Sequence, residues 1–154
     1  MKNRTLIVTA TAMSLITAVA FAHGGATGIV KERMHGMMMM GKALSTIADM
    51  FKGKTEFEPG QIEAASAEIR QHALEIEKLF PDTEASRKGK STEALPQIWE
   101  NKDEFGKLAQ ELAARSQELE ELAKTGDKRQ IRVGFAKLSK TCAACHTDYR
   151  KPKQ

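Results

Sequence analysis

Four stretches of this chain space their apolar residues at the period of an α-helix, and three polar breaks separate them. At about 100° per residue, Val30, Arg33, Met34, Met37, Met40, Gly41, Leu44, Ile47, Ala48 and Phe51 share one face of a helix from about Gly28 to Lys52. A second helix, from about Pro59 to Leu79, carries Ile62, Ala65, Ile69, Ala73 and Ile76, with Phe80 continuing the stripe. Residues 80–96, "FPDTEASRKGKSTEALP", are polar and read as a long loop. A third helix runs from about Pro96, placed in its first turn, to Lys124, with Ile98, Phe105, Leu108, Leu112, Leu119 and Leu122 in line. "KTGDK" is a stop and a restart, with Gly126 as C-cap and Asp127 as N-cap. The last helix runs from Asp127 to about Arg150 and aligns Ile131, Phe135, Leu138, Cys142, Cys145 and Tyr149. Four amphipathic helices with no strand pattern pack most simply as an antiparallel up-down-up-down four-helix bundle.

The first 22 residues stand apart. Lys2 and Arg4 precede an apolar run from about Leu6 to Val19, and Ala20-Phe21-Ala22 follows as an A-x-A site. This is the pattern of a secretory signal peptide. The run is short for a membrane anchor, and a stable membrane insertion after cleavage is not expected. Residues 23–154 then form one domain, delivered to a bacterial periplasm. Cleavage removes two positive charges from a net +4 and leaves +2, too balanced to suggest nucleic acid as a partner.

Two features sit badly in an ordinary bundle. Arg33 lies on an apolar face, and a buried guanidinium needs an anionic partner that nothing adjacent in sequence supplies. The last helix places both cysteines of the chain on its buried stripe. They belong to "CAACH", residues 142–146, the C-x-x-C-H signature of c-type haem attachment. On a helix, Cys142 and Cys145 share a face and reach the two vinyl groups of one porphyrin. His146 follows directly and can turn its imidazole to the iron. A thioredoxin-like pair would need a βαβ context. A zinc site would need two further ligands, and His23, His35 and His72 are scattered. A structural disulfide beside a chance histidine is the remaining alternative.

On "RMHGMMMMG" near one end and "TCAACHTDYRK" at the other, the chain resembles the class II cytochromes c, the cytochrome c′ family. The resemblance covers nearly all of residues 23–154. It implies a four-helix bundle with one covalent haem c, Cys142 and Cys145 as the thioether cysteines and His146 as the axial iron ligand. It also implies Arg33 beside a haem propionate and Met37, one turn on, over the opposite face of the iron. Propionates would resolve the Arg33 puzzle by bidentate pairing; the alternative is a guanidinium snorkelling to water.

The methionines need separate treatment. Four consecutive residues cover about 300° of a helix, so Met37 to Met40 cannot all face one site. Met37 falls at the centre of the apolar face, Met34 and Met40 flank it, Met38 is at the edge and Met39 points outward. Met34 and Met40 read as pliable packing, and Met38 and Met39 have no assigned role. A copper-binding cluster would fit the bare string, but the helix scatters the sulfurs. In one branch of the family the iron is five-coordinate; in the other a methionine closes it. The run of thioethers favours ligation by Met37, which would raise the reduction potential.

The expected function is therefore one-electron transfer by a periplasmic monohaem cytochrome between redox partner proteins of unknown identity. The alternative is a five-coordinate protein that binds nitric oxide or carbon monoxide. No catalytic constellation is present in the sequence, so an enzyme is not expected. Monomer and homodimer both remain open. Trp99 and Phe105 read as helix packing, Tyr149 as haem edge or core, His72 as boundary, and Glu118, Glu120 and Glu121 as a solvated face.

Overall fold

The structure, a computed structural model, describes residues 25–152. The expected signal peptide, residues 1–22, lies outside the described residues. Four long helices build the bundle: α1 (Gly28–Phe51), α2 (Pro59–Glu75), α5 (Lys102–Thr125) and α6 (Lys128–Tyr149). Two short helices, α3 (Glu84–Lys88) and α4 (Gln97–Glu100), lie in the connection between α2 and α5. Among the described residues no strand forms; Ala94 and Arg150 make one isolated antiparallel bridge.

The core follows the apolar stripes. Ile47, Ile62, Ile69, Leu119, Ile131 and Leu138 are all but inaccessible to solvent, and each contributes roughly 1.5–3 kcal/mol by burial. The stripe of α5 is rotated from its expected centre. Ala109, Ala113 and Ser116 are buried there, while Leu108 and Leu122 sit half-buried at its margins. Small side chains let α5 approach α2, which offers Ala65, Ser66 and Ala73. The two buried serines leave no unsatisfied hydroxyl, since Ser66 Oγ donates to Ile62 O at 2.7 Å and Ser116 Oγ to Leu112 O at 2.8 Å.

The helix boundaries show what local signals decide. Gly126 takes the left-handed conformation at φ 70°, and the Asp127 carboxylate accepts from the backbone N–H of Arg129 and Gln130. Both caps are as expected. The second helix ends earlier, at Glu75, and finishes in a tight 3-10 turn over Glu77–Leu79. The expected third helix is broken at Asn101 (φ −120°, ψ 48°), which separates α4 from α5. Trp99 explains the break: its indole N–H donates to the carbonyls of Phe80 and Pro81, both at 3.1 Å, and holds the α4 turn against the connection.

Ion pairs decorate the surface. Glu118 accepts from Lys137 on α6 and Arg115 on its own helix, and Arg70 on α2 reaches Glu120 on α5. The face expected to be merely solvated is thus paired, and the Lys137 and Arg115 bonds hold the Glu118 carboxyl below its usual range. Partly exposed pairs of this kind are each worth at most about 1 kcal/mol.

The connection is pressed closely onto α1 at Gly89. A Cβ there would stand 2.6 Å from Val30 Cγ2 and in collision with the Ala85 carbonyl. Gly89→Ala is expected to destabilise the protein by about 1–3 kcal/mol through overpacking, read as a lowered melting temperature in thermal denaturation. An unchanged melting temperature would show that the connection yields freely.

Candidate cofactor pocket

The long helices pack in sequence order, α1 on α2, α2 on α5, α5 on α6, but α1 and α6 scarcely touch. Two adjoining cavities occupy the space between them. The first, about 420 Å³, is lined on α1 by Arg33, Met34, Met37, Met38 and Gly41, and on α6 by Cys145, His146, Tyr149 and Arg150. The second, about 170 Å³, reaches into the bundle past Met40, Leu44, Ile69 and Leu112 to Cys142. Met37, Gly41, Cys145 and His146 line both cavities.

Each residue arrives there for a local reason. Cys142 and Cys145 are three residues apart on α6, a helix capped by Asp127 and anchored by Ile131 and Leu138, so both thiols face inward half-buried. Burial pushes the Cys142 thiol up and the Cys145 thiol to about 11, with the neighbouring Cys142 and Asp148 adding to the latter. Both are therefore thiols at neutral pH. His146 is solvent-exposed as a residue yet lines both cavities. Met37, on α1, lines the same two cavities. Tyr149 is buried and closes the floor with Phe105, their rings edge to face at 5.2 Å.

Arg33 is the most constrained cation of the described chain. It is 5% exposed, so it does not snorkel. Its guanidinium donates to Leu79 O at 3.1 and 3.2 Å, to Ser86 Oγ at 2.6 Å, to Ser86 O at 3.4 Å and to Thr92 Oγ1 at 3.2 Å, and lies 3.9 Å from the Phe80 ring centroid. Its partners come from 46 to 59 residues away, which is why none was visible nearby in sequence. They are neutral acceptors rather than an anion. Burial lowers its pKa to about 10, so it remains charged at pH 7. Arg33 thus ties three points of the connection to α1. At the other side, Leu95 N–H donates to Tyr149 O at 3.0 Å, Lys151 N–H to Glu93 O at 2.8 Å, and Arg150 Nε meets Glu93 at 2.7 Å. Glu93 and Arg150 also line the first cavity.

The residues fit a haem. Two thiols, one imidazole and an apolar wall border contiguous space of a size typical for ligand sites, about 300–1,000 Å³. Gly41 gives a flat stretch of wall: a Cβ there would meet no atom within 4 Å. A charged guanidinium stands at one end, and among the described residues its hydrogen bonds go to neutral acceptors. Met38 corrects the sequence reading. It lines the first cavity beside Met34 and Met37, because α1 borders both core and cavity over an arc wider than one stripe. Met39 lines neither cavity, and Met40 is buried at 9% exposure. Glu93 and Arg150 are lining residues that sequence reasoning missed; the only signal was the tyrosine–arginine pair after the motif. No group of three or more His, Cys, Asp or Glu side chains among the described residues is placed to hold a bare metal ion.

Comparison with known proteins agrees with this geometry. The sequence pattern of the family described as cytochrome c′ matches residues 28–150. Cytochrome c′ of Rhodopseudomonas palustris is 31% identical over 127 residues, 82% of this chain and 84% of that protein. Cytochrome c-556 of Agrobacterium tumefaciens is 30% identical over 82% of this chain and 99% of its own length. The structure of cytochrome c′ from Rhodopseudomonas palustris superposes with a TM-score of 0.75, covering 83% of this chain and 99% of that one. These findings give no support to a Met-ligated, low-spin branch in particular. With the family's motif at the end of α6 and a bundle of the same fold around it, the chain belongs to the cytochrome c′ family, whose members carry one covalently bound c-type haem.

Proposed function

We propose that this chain is a periplasmic, non-enzymatic gas-binding cytochrome c′. Cys142 and Cys145 would hold the haem by thioether bonds, His146 would bind its iron, and Arg33 would add a propionate to its present acceptors. Met37 would stand in the α1 wall of the pocket without binding the iron. When bound, the haem supplies an iron that cycles between two oxidation states and can take a diatomic ligand.

The observation that carries this reading is the lining of the second cavity. Apart from His146 it contains no ionisable side chain other than the two thiols, and its α1 wall is Met37, Met40, Gly41 and Leu44. Its one hydroxyl, on Thr141, is already engaged with Lys137 O at 3.3 Å. With a haem filling this space, the wall left toward α1 is apolar, so an uncharged diatomic ligand would need no polar partner there, whereas an anion would lose its hydration uncompensated. Cytochrome c′ of Alcaligenes xylosoxydans is 27% identical over 80% of this chain, and a point variant of cytochrome c prime from Alcaligenes xylosoxidans, which shares this fold at a TM-score of 0.70, has been solved as a nitric oxide complex. The sequence puts electron transfer first; the apolar cavity and the relatives support gas binding instead.

Another relative, 25% identical with a TM-score of 0.73, has a ligand-controlled dimer dissociation, and monomer and homodimer are the states we propose for this chain. No helix among the described residues is long and apolar enough to cross a membrane.

Three outcomes are expected. The purified ferric protein has a high-spin spectrum, its ferrous form binds carbon monoxide and nitric oxide, and Met37→Ala speeds that binding by about tenfold if Met37 costs about 1.4 kcal/mol of steric obstruction. A low-spin iron that ignores carbon monoxide would overturn the gas-binding reading. Cys142→Ser with Cys145→Ser leaves no haem on the polypeptide in denaturing electrophoresis; haem that stays would refute the attachment site. Arg33→Leu lowers the reduction potential, because a nearby cation disfavours the more positive ferric state. An equal potential in redox titration would separate Arg33 from the haem.

A further inference from the structure

Two guanidiniums line the first cavity, Arg33 from α1 and Arg150 from the residue that ends α6. Adjacent residues of the connection hold them, which puts both at one end of the space. Thr92 Oγ1 accepts from Arg33 Nη1 at 3.2 Å, and Glu93 Oε2 accepts from Arg150 Nε at 2.7 Å. The backbone beside them is fixed as well, by Leu95 N–H to Tyr149 O and Lys151 N–H to Glu93 O.

The two differ in the donors they have left. Every nitrogen of Arg33 is committed: Nε to Leu79 O, Nη1 to Ser86 O and Thr92 Oγ1, and Nη2 to Leu79 O, Ser86 O and Ser86 Oγ. A carboxylate that joins Arg33 must share N–H groups with these oxygens. Arg150 is used on one edge only. Among the described residues its terminal Nη1 and Nη2 donate to no protein acceptor, although the residue lines the cavity. Glu93 takes the Nε edge and leaves open the forked end, which can grip a carboxylate with two parallel bonds.

We propose that Arg150, aimed by Glu93, binds one haem propionate directly through its Nη edge, while Arg33 acts on the other mainly through its charge. Haem carries two propionates on one edge, and the chain sets two guanidiniums at one end of the cavity. Glu93 is a positioning residue: it fixes the guanidinium, which stands between its carboxylate and the propionate. The proposal rests on the covalent haem of the family and deepens the reading of that site. It is independent of gas binding, since a propionate lies at the porphyrin rim whatever the iron holds.

The test uses the haem-loaded protein and reads the propionate bending band of its resonance Raman spectrum together with its reduction potential. Arg150→Gln should shift the band, and the lost cation should favour ferric iron. The potential then falls by about 59 mV for about a tenfold change in the ferric–ferrous equilibrium. Arg150→Lys should keep most of the potential and still shift the band, because an ammonium replaces the planar fork. Glu93→Gln should raise the potential and shift the band part of the way. Lys151→Gln is the control: it removes the neighbouring cation, which lines neither cavity, and should leave the band in place. An unmoved band in Arg150→Gln, or a potential no lower there than in Lys151→Gln, would overturn the proposal. If Arg150→Gln folds poorly, the band in Arg150→Lys decides in the same way. An unmoved band in Glu93→Gln would overturn the role of Glu93. Spin state and carbon monoxide binding are read on the same samples, so a low-spin iron would sink the gas-binding reading while these shifts stand.

Discussion

The first and last long helices of this bundle do not close on one another, and the rest of the architecture serves that gap. α2 and α5 pack intimately through alanine and serine, which makes one side of the bundle self-sufficient. The other side leaves α1 and α6 facing across open space lined by thioethers, thiols and an imidazole. A protein interior is normally filled to near crystal density, and a covalently bound haem of the kind this family carries would complete the packing between α1 and α6.

Arg33 shows how the same gap shapes electrostatics. A guanidinium deprived of water ordinarily recruits a carboxylate. Here it takes carbonyl and hydroxyl oxygens from Leu79, Ser86 and Thr92 and rests on the Phe80 ring. Neutral acceptors satisfy its hydrogen bonds without cancelling its charge. One residue therefore both fastens the connection and keeps positive potential at the end of the cavity.

Much of this was legible in the sequence. The bundle followed from periodicity, the caps at Gly126 and Asp127 from residue type, and the attachment motif from the spacing of Cys142, Cys145 and His146. What escaped was nonlocal. The break at Asn101 depends on where Trp99 finds its carbonyl partners, and the acceptors of Arg33 lie dozens of residues away. The width of the cavity wall, and with it the place of Met38, depends on how far α6 stands from α1, which no property of α1 encodes. A run of methionines in sequence also says nothing about the polarity of the space beyond it, and the proposed gas-binding reading rests on that polarity rather than on the run.

The strands of contact around the cavity also impose an order on assembly. Arg33 lies near the start of the folded domain and Tyr149, Arg150 and Lys151 at its end, and the connection between α2 and α5 is stitched to both. Closure of the pocket therefore waits on Tyr149, Arg150 and Lys151: the end of α6 that follows the C-x-x-C-H motif also makes the last contacts to the connection, so the motif and the seam are set in place together.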